Sequence, residues 1–497
     1  LFSKIFIYAE LTLNVETKNS EASKNLEIIE NKNSELSKAE SKMTKWIGEI
    51  KDISLLSKDS DLIKEHEFIL SEKKEKSRYV LNEKEEEIIS KLRSTGSDAW
   101  SKLKDLVTSN LTVDIKIDGE EKHLPLTVVR NMAFSDDADL RKNAYEAELA
   151  SYKKIEDTAA ACLNGIKGEV ITVDKLRGYD SPLDETLKNS RMDRETLDAM
   201  FKAMRESFPV FRKYLIRKGE MLGYKNGLPF YDLFAPVSKS NKKYSYEEAK
   251  KMVLDNYGTF SEKLKNFAKK AMDNRWIDVM PREGKVAGAF CENIIALGES
   301  RVMTNFGGNF EDVVTIAHEL GHGYHGECLR GESILNCDYP MPLAESASTF
   351  CETIVKKAAM KQSSKEEAFS ILETEISDDT QVIIDIYSRF LFEDKVFQKR
   401  KESSLTADEL NDIMVWAQKE AYGDGLDKDY LHPYMWICKP HYYYADANYY
   451  NFPYAFGLLF SKGLYAKYLE EGDKFLPEYD NVLRCAGKMK IYDAAKL

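Results

Sequence analysis

The chain has 497 residues, too many for one simple core, so two or more lobes are expected. With 43% hydrophobic and 31% charged residues, it has the composition of a globular protein, which excludes a disordered chain. The 72 Lys and Arg against 84 Asp and Glu give a net charge of −12, which argues against a nucleic-acid partner.

No apolar run approaches the roughly 18–20 residues of a membrane span, so no membrane partner is expected. The seven cysteines are an odd number, widely spaced and without a CxxC pair, which predicts free thiols and a cytoplasmic protein. The chain begins with Leu1 rather than Met, and we expect its natural N-terminus to lie upstream. No pattern in the sequence specifies an oligomeric state.

Residues 1–110 carry apolar residues at three- and four-residue spacing, which predicts an N-terminal helical domain. Two alternating runs within 111–129 flank Asp118-Gly119 and predict a β-hairpin at the start of a catalytic domain, 111–497. Helical periodicity returns in 136–170, 183–223, 245–273 and again beyond 311. The glycine-containing segment 280–310 predicts short strands, so the fold is expected to be mostly α with a small β element.

The segment 312–327, DVVTIAHELGHGYHGE, contains an HExxH motif. His318 and His322 lie four residues apart, so on a helix both imidazoles emerge from one face, as two ligands of a tetrahedral Zn²⁺ require. Glu319 is turned about 100° around the helix, where it can act on a water at the metal without ligating the metal. The alternative is a pair of histidines that makes only local hydrogen bonds, but a chance HExxH is rare in a chain with seven histidines.

A hydrolytic zinc normally takes three protein ligands and leaves the fourth position to water. Cys328 stands where the metzincin pattern needs a histidine, which excludes that subclass. The segment 340–360 instead offers carboxylates on a following helix that is rich in small residues. Glu345 begins this helix and is the candidate third ligand, and Glu352 lies seven residues later on the same face. A favourable contact of Glu345 with the helix dipole is the alternative to ligation.

The segments HELGHGYH, AESASTFCE, WID…PREGKVAGAFC and HYYYADANYYNFPYAFG together resemble the oligoendopeptidase F family of zinc metallopeptidases, relatives of thimet oligopeptidase. The resemblance extends to ADLRKNAYEAE and YGDGLD…HPYMW, covers most of the chain, and is weakest in its N-terminal part. It implies a zincin-like fold with two helical lobes around a deep channel and a small β element beside the active-site helix. Such a channel admits short unfolded peptides.

The resemblance also implies roles for particular residues. It makes His318, His322 and Glu345 the ligands of one Zn²⁺ and Glu319 the general base. It makes Glu352 the carboxylate that orients a ligand histidine, which fits the rule that a metal-bound imidazole donates its other N–H to such a group.

The same resemblance assigns residues of the tyrosine-rich segment to the scissile carbonyl. His441 and Tyr454 match a histidine and a tyrosine that face the substrate, and Tyr449 is the next candidate. Because the spacing from His441 to Tyr454 is one residue longer than in thimet oligopeptidase, Tyr444 and Tyr450 remain candidates as well. Donors of this kind would stabilise the oxyanion that forms when water attacks an amide.

The segment ESRVMTNF (299–306) is predicted to be an edge strand beside the active-site helix, where a peptide would pair through its backbone. GAFC (288–291) is expected near it from the resemblance. Cys291 has no supporting histidine in the sequence pattern and is not expected to be a nucleophile.

The remaining histidines are assigned to other roles. His325 lies seven residues after His318, and packing or support of the metal centre is expected of it rather than ligation. His66 and His123 are predicted to be surface residues. His432 precedes a proline in a loop and receives no assignment.

We therefore expect a zinc-dependent endopeptidase that hydrolyses internal bonds of short unfolded oligopeptides. Glu319 would take the proton of the attacking water and deliver it to the leaving amine. Two alternatives remain open. One is a zinc exopeptidase of the same fold, dipeptidase- or carboxypeptidase-like, and the other is a catalytically silent peptide-binding protein.

Overall fold

The computed structural model describes residues 2–237 and 242–497, and most of them are helical, which confirms the predicted fold class. No helix among the described residues is both long and apolar enough to cross a bilayer. The chain forms two compact units, each assembled from separate stretches. Unit 1 comprises Leu1–Val80, Asn241–Ser364 and Phe456–Leu497, and unit 2 comprises Leu81–Ser240 and Lys365–Ala455.

The two predicted domains, 1–110 and 111–497, are continuous stretches of the chain. Each compact unit instead gathers stretches that are distant in the sequence. The division into domains at residue 110 therefore stays a prediction. All seven cysteines are free thiols, as their number and spacing predict.

The N-terminal part of the chain is helical almost throughout, as predicted. Its helices are α1 (Phe2–Val15), α2 (Ser20–Glu49), α3 (Ile53–Leu56), α4 (Asp61–Glu65), α5 (Glu67–Lys76), α6 (Glu83–Arg93) and α7 (Ser97–Ser109). Asn82 caps the start of α6, and the Glu85 side chain accepts a hydrogen bond from the Asn82 backbone in return.

The predicted hairpin is formed by β1 (Thr112–Ile117) and β2 (Glu120–Pro125), which pair antiparallel. The turn residues Asp118 and Gly119 have φ of 54° and 84°, the two positive values that a tight hairpin turn of this kind needs. The second strand ends at Pro125, before the predicted limit of residue 129. The chain continues there as helix α8 (Leu126–Asn131), which Pro125 precedes.

The helices that follow α8 agree with the three predicted helical segments, but each segment is divided into two helices, at residues 153–155, 190–193 and 261, and the first extends to residue 177. They are α9 (Ala138–Tyr152), α10 (Glu156–Arg177), α11 (Pro182–Asn189) and α12 (Arg194–Met221) in unit 2, then α13 (Tyr246–Phe260) and α14 (Glu262–Asp273) in unit 1.

A three-stranded sheet follows in unit 1, formed by β3 (Ile277–Asp278), β4 (Phe290–Ile294) and β5 (Glu299–Met303) in the order β3-β5-β4. The prediction that 299–306 is an edge strand is wrong, because β5 lies in the centre of the sheet. The residues around β3 pair with the side of β5 that faces away from β4: the Val302 amide of β5 donates to the Trp276 carbonyl at 2.9 Å. Among the described residues, β4 is the antiparallel edge strand.

The remaining chain is helical, as predicted. Its helices are α15 (Phe310–Cys328) and α16 (Met341–Gln362) in unit 1, α17 (Lys365–Thr380), α18 (Ile386–Arg400), α19 (Ala407–Tyr422) and α20 (Met435–Cys438) in unit 2, and then α21 (Phe452–Glu471), α22 (Leu476–Cys485) and α23 (Ile491–Ala494).

The core of unit 1 is built around α15. Val313, Ile316 and Leu320 of this helix are fully buried and pack with Phe350 of α16. The Tyr257 hydroxyl of α13 donates to the Ala317 carbonyl at 2.6 Å. Burying one whole face of α15 fixes its rotation, and hence the direction of the side chains on its other faces.

A buried ion pair organises unit 2. Lys167 of α10 donates to Glu393 Oε1 at 2.6 Å and to Asn448 Oδ1 at 2.9 Å, and its side chain and that of Glu393 are almost inaccessible. The second oxygen of Glu393 accepts the backbone N–H of Tyr449 at 3.0 Å. This network fixes the tyrosine-rich segment to two long helices.

We expect Lys167→Ala to lower the stability of the protein by about 3–5 kcal/mol, because it leaves the buried Glu393 carboxylate without its charge partner. Lys154→Ala is the control, since its ion pair with Asp114 is more than half exposed, and a change below about 1 kcal/mol is expected there. Urea unfolding followed by circular dichroism measures both midpoints. Equal midpoints for the two variants would contradict the prediction.

Candidate metal centre

Helix α15 has a well-defined start. Asn309 Oδ1 accepts the N–H of Asp312, and Asp312 Oδ2 accepts the N–H of Asn309, each at 2.9 Å. This reciprocal cap satisfies two N–H groups that have no partner within the helix. The capping residue Asn309 lies nine residues before His318, the first histidine of the motif.

The three predicted ligands come together in unit 1. His318 Nε2 and His322 Nε2 lie 3.1 Å apart, and Glu345 Oε2 lies 3.4 Å from the first and 3.5 Å from the second. Zinc–ligand bonds of about 2.0–2.1 Å in a tetrahedron place ligand atoms about 3.3–3.4 Å apart. The triangle therefore fits a zinc ion bound by two imidazoles and one carboxylate.

Glu345 reaches the histidines because α16 lies very close to α15. A Cβ added at Gly321 would lie 2.6 Å from Ser348 Cα and 2.7 Å from the Ala347 carbonyl oxygen, distances that real Cβ atoms do not show. A Cβ added at Gly457 of α21 would likewise lie 2.8 Å from Glu345 Cβ. These two glycines set the space in which Glu345 lies, and no pattern in the sequence points to either of them.

Glu352 occupies the position that the family resemblance predicted for it. Its Oε1 accepts a hydrogen bond from His318 Nδ1 at 2.5 Å, which leaves Nε2 of that ring for the metal. Its Oε2 accepts from Lys356 Nζ at 3.0 Å. Burial would raise the pKa of Glu352, but the bond from His318 and the charge of Lys356 lower it to about 2, so the group is a carboxylate.

The two motif histidines have different electrostatic surroundings. Burial opposes protonation of His318, but hydrogen bonds to Glu345 and Glu352 outweigh it and raise the pKa of His318 to about 10. Burial and the charge of His318 lower the pKa of His322 to about 4. The carboxylates around His318 thus favour a cation beside it, as a metal site requires.

Glu319 is buried beside the ligand triangle, with 5% of its surface exposed. Burial raises the pKa of Glu319 to about 7; His318 opposes this shift, and the carboxylates of Glu345 and Glu352 add to it. Its Oε2 has no hydrogen-bond partner among the described residues. A buried carboxylate oxygen without a partner is costly, and a water at the metal would satisfy it.

The edge strand β4 is tied to α15. Asn293 Nδ2 donates to the His322 carbonyl at 2.9 Å, and Asn293 Oδ1 accepts from Ser300 Oγ of β5 at 2.7 Å. Burial, with the charges of Glu319 and Glu292, raises the pKa of the Cys291 thiol well above its usual range. Cys291 is therefore a protonated thiol, a poor nucleophile, as the sequence indicated.

Three of the other histidines make contacts that leave them outside the ligand triangle. His325 is fully buried, stacks on Tyr339 with ring centroids 4.0 Å apart, and bonds the Leu483 carbonyl at 3.1 Å through Nε2. His66 is buried and bonds Ser333 at 2.6 Å, so its predicted surface position is wrong. His123 is exposed, as predicted.

Unit 2 brings together part of the predicted substrate-facing group. The rings of His441 and Tyr450 meet edge to face at 4.6 Å, and Tyr454 donates its hydroxyl to Tyr450 at 3.3 Å. Burial, with the charges of Arg389 and Lys439, lowers the pKa of His441 to about 4. His441 is therefore a neutral imidazole near pH 7, able to donate one N–H.

Tyr449 lies apart from this group. Only 3% of Tyr449 is exposed, and its hydroxyl donates to Asp394 Oδ1 at 3.0 Å, between the rings of Phe390 and Phe397. Its φ of 53° turns the backbone so that Tyr449 and Tyr450 face different surroundings. The structure thus favours Tyr450 over Tyr449 as the companion of His441. Tyr444 contacts His441 only as a stacked ring at 6.0 Å.

Residues 131–496 match the model of Peptidase family M3, which is more than half of the chain. The chain belongs to this family. Residues 50–112 match a second model, described as Oligopeptidase F. These matches confirm the resemblance on which the assignment of the ligands and of the tyrosine-rich segment was based.

Curated relatives carry names of the same kind. The chain is 25% identical over 425 residues to "Oligopeptidase PepF" of Bacillus subtilis, which covers 84% of this chain and 62% of the relative. It is 29% identical over 328 residues to "Oligoendopeptidase F, chromosomal" of Lactococcus lactis, covering 65% of this chain and 53% of the relative. The chain thus spans somewhat over half the length of these relatives.

Solved structures share the fold of the family. A candidate peptidase of Chlamydophila abortus superposes with a TM-score of 0.86 at 24% identity, over 100% of this chain and 83% of that one. Oligoendopeptidase-F of Enterococcus faecium gives a TM-score of 0.73 at 19% identity, over 100% and 85%. At these identities the likeness concerns the fold alone.

We expect Gly321→Ala to weaken metal binding, because the added methyl forces α16 and Glu345 away from the motif histidines. Zinc content after dialysis should fall well below that of the wild type, with a lower melting temperature. Gly463→Ala in α21 is the matched control, since a Cβ there meets nothing within 4 Å and removes the helix penalty of glycine. Full zinc retention by Gly321→Ala would show that the helix contact does not position Glu345.

Proposed function

We propose that this member of Peptidase family M3 is a zinc-dependent endopeptidase that hydrolyses internal bonds of short unfolded peptides. The observation that carries the proposal is the ligand triangle of His318, His322 and Glu345, with the buried, unpartnered oxygen of Glu319 beside it. The names of the relatives, oligopeptidases and oligoendopeptidases, support oligopeptides as the substrate class.

His318, His322 and Glu345 would hold the zinc, and Glu352 would keep His318 in the tautomer that presents Nε2. Zinc, when bound, supplies Lewis acidity that polarises the peptide carbonyl and lowers the pKa of a water molecule. Three protein ligands leave the fourth position open, as catalytic zinc sites do.

Glu319 is the proposed general base. Its carboxylate would take the proton from the attacking water at Oε2, which has no hydrogen-bond partner in the described part of the chain. It would then deliver this proton to the nitrogen of the leaving amine, so that the carboxylate is restored after each turnover. Because Glu319 is almost completely buried, few solvent waters compete for this proton.

His441 and Tyr454 are the proposed donors to the oxyanion, with Tyr450 as the third member of the group. The attack of water converts the peptide carbonyl oxygen into an anion, and neutral N–H and O–H donors stabilise this anion more than the carbonyl. The substrate backbone would pair with the edge strand β4 rather than with β5, since β5 already has neighbours on both sides.

Glu319→Gln should lower peptide cleavage by at least about 10²–10⁴-fold while zinc remains bound, because the change removes a proton acceptor and no ligand. Glu345→Gln should lose zinc and activity together. Mass spectrometry of a bradykinin-sized peptide measures cleavage, and atomic absorption measures zinc. Chelator-treated wild type is the control for dependence on the metal.

The cleavage pattern decides the class of enzyme. Internal cleavage that disappears with Glu319→Gln and with chelator supports the endopeptidase. Removal of terminal residues or dipeptides would establish the exopeptidase alternative. Absence of any cleavage by a zinc-loaded protein would favour a catalytically silent peptide-binding protein.

Tyr454→Phe, Tyr450→Phe and His441→Ala test the oxyanion donors. We expect each substitution of a true donor to lower kcat by about 10²–10³-fold with little change in KM, because the bond forms mainly in the transition state. Tyr449→Phe is the control. It should leave kcat unchanged and cost about 1 kcal/mol of stability through loss of the bond to Asp394. A larger fall in kcat for Tyr449→Phe than for Tyr450→Phe would reverse the assignment.

A further inference from the structure

Unit 2 contains a second cluster of side chains of metal-ligating types. It is formed by Glu148 of α9, by His432, which precedes α20, and by Cys438, the last residue of α20. Their donor atoms all lie within 4.8 Å of one another. His432 Nε2 is 3.4 Å from Glu148 Oε1, and Cys438 Sγ is 3.8 Å from the same oxygen. None of the three residues belongs to the HExxH centre.

The His432 imidazole is the least satisfied member of the cluster. The residue is 2% exposed, and neither of its ring nitrogens has a hydrogen-bond partner among the described residues. The rings of Tyr145, Tyr152 and Phe230 surround it at 5.2–6.1 Å. Its backbone is held in place by two hydrogen bonds with the Gln418 side chain. Nδ1 thus has no polar partner in the described part of the chain, and Nε2 has only the 3.4 Å contact with Glu148, so a fixed, buried imidazole is left with hydrogen-bonding capacity that a bound ion would use.

The distances agree with a tetrahedral zinc. Bond lengths of about 2.0–2.2 Å to nitrogen and oxygen and about 2.3 Å to sulfur predict about 3.4 Å between N and O and about 3.6 Å between S and O. The Tyr152 hydroxyl lies 2.8 Å from Glu148 Oε1 and 2.9 Å from Cys438 Sγ, so it adjoins two of the three side chains. The Tyr434 carbonyl, 3.4 Å from Cys438 Sγ, is the other polar neighbour of the thiol.

We propose that Glu148, His432 and Cys438 bind a divalent cation of the zinc type, with Tyr152 beside the fourth position. The carboxylate and a thiolate would offset the two positive charges of such an ion, which lowers the cost of burying it beside a neutral imidazole. Arg130 Nε approaches Glu148 Oε1 at 3.1 Å from the more exposed side and pairs with this carboxylate. A thiolate and an imidazole in the set select zinc over magnesium or calcium.

This site would have a structural role. The ion would join α9 to the segment that ends with α20, and Cys438 lies three residues before His441. All of these residues belong to unit 2. Binding would therefore restrict the start of the segment that carries His441, and it would do so independently of the HExxH centre.

Cobalt substitution tests the site, because a thiolate bound to Co²⁺ gives a near-ultraviolet charge-transfer band that the His318, His322 and Glu345 set cannot give. The chelator-treated protein is titrated with Co²⁺ alone. We expect the band in the wild type, with two cobalt ions per chain. In Cys438→Ala the band should disappear and one ion should remain.

Three further measurements make the test specific. Cys485→Ala, which removes another partly exposed thiol, should keep the band. Glu345→Gln should also keep it, so that failure of the HExxH centre is distinguished from failure of this site. His432→Gln should lower the affinity for cobalt at this site at least about 10-fold. A wild type without the band, or a Cys438→Ala variant that keeps it, would overturn the proposal and leave a purely hydrogen-bonded cluster.

Discussion

The candidate metal centre depends on the close contact between α15 and α16. The histidines of the motif are on one helix and Glu345 is on the other, so the ligand triangle exists only because the two backbones approach at Gly321. Any side chain there would meet the backbone of α16 and separate the ligands. Gly321, a glycine of the HExxH motif with no reactive side chain, therefore decides whether Glu345 can reach the two histidines.

Burying the ionisable side chains of this site costs free energy, and contacts between opposite charges offset part of that cost. The carboxylate of Glu352 is buried but binds both His318 and Lys356, so it stays ionised. Glu319 has no such partner, and its pKa rises. The difference follows the proposed roles, since an orienting group is best held in one charge state and a general base must exchange a proton.

A buried pair of opposite charges also holds the tyrosine-rich segment of unit 2. The buried pair of Lys167 and Glu393 fixes Asn448 and the Tyr449 backbone through direct hydrogen bonds. The segment is otherwise made of short turns, which have few hydrogen bonds of their own. The position of Asn448 and Tyr449 in this segment therefore depends on ionic groups from two helices that are distant in the sequence.

The amino-acid sequence was enough to predict the helical class, the hairpin at Asp118-Gly119 and the candidate ligands of the HExxH motif, because periodicity, turn chemistry and helical spacing are local properties. The segment after the motif also offered Glu345 as the candidate third ligand, and the family resemblance gave Glu352 its orienting role. Tertiary structure alone decided that β5 is central and β4 is the edge, and that Tyr450 rather than Tyr449 joins His441. Strand order and the exposure of one tyrosine among many depend on which distant residues pack together, and no local spacing records that.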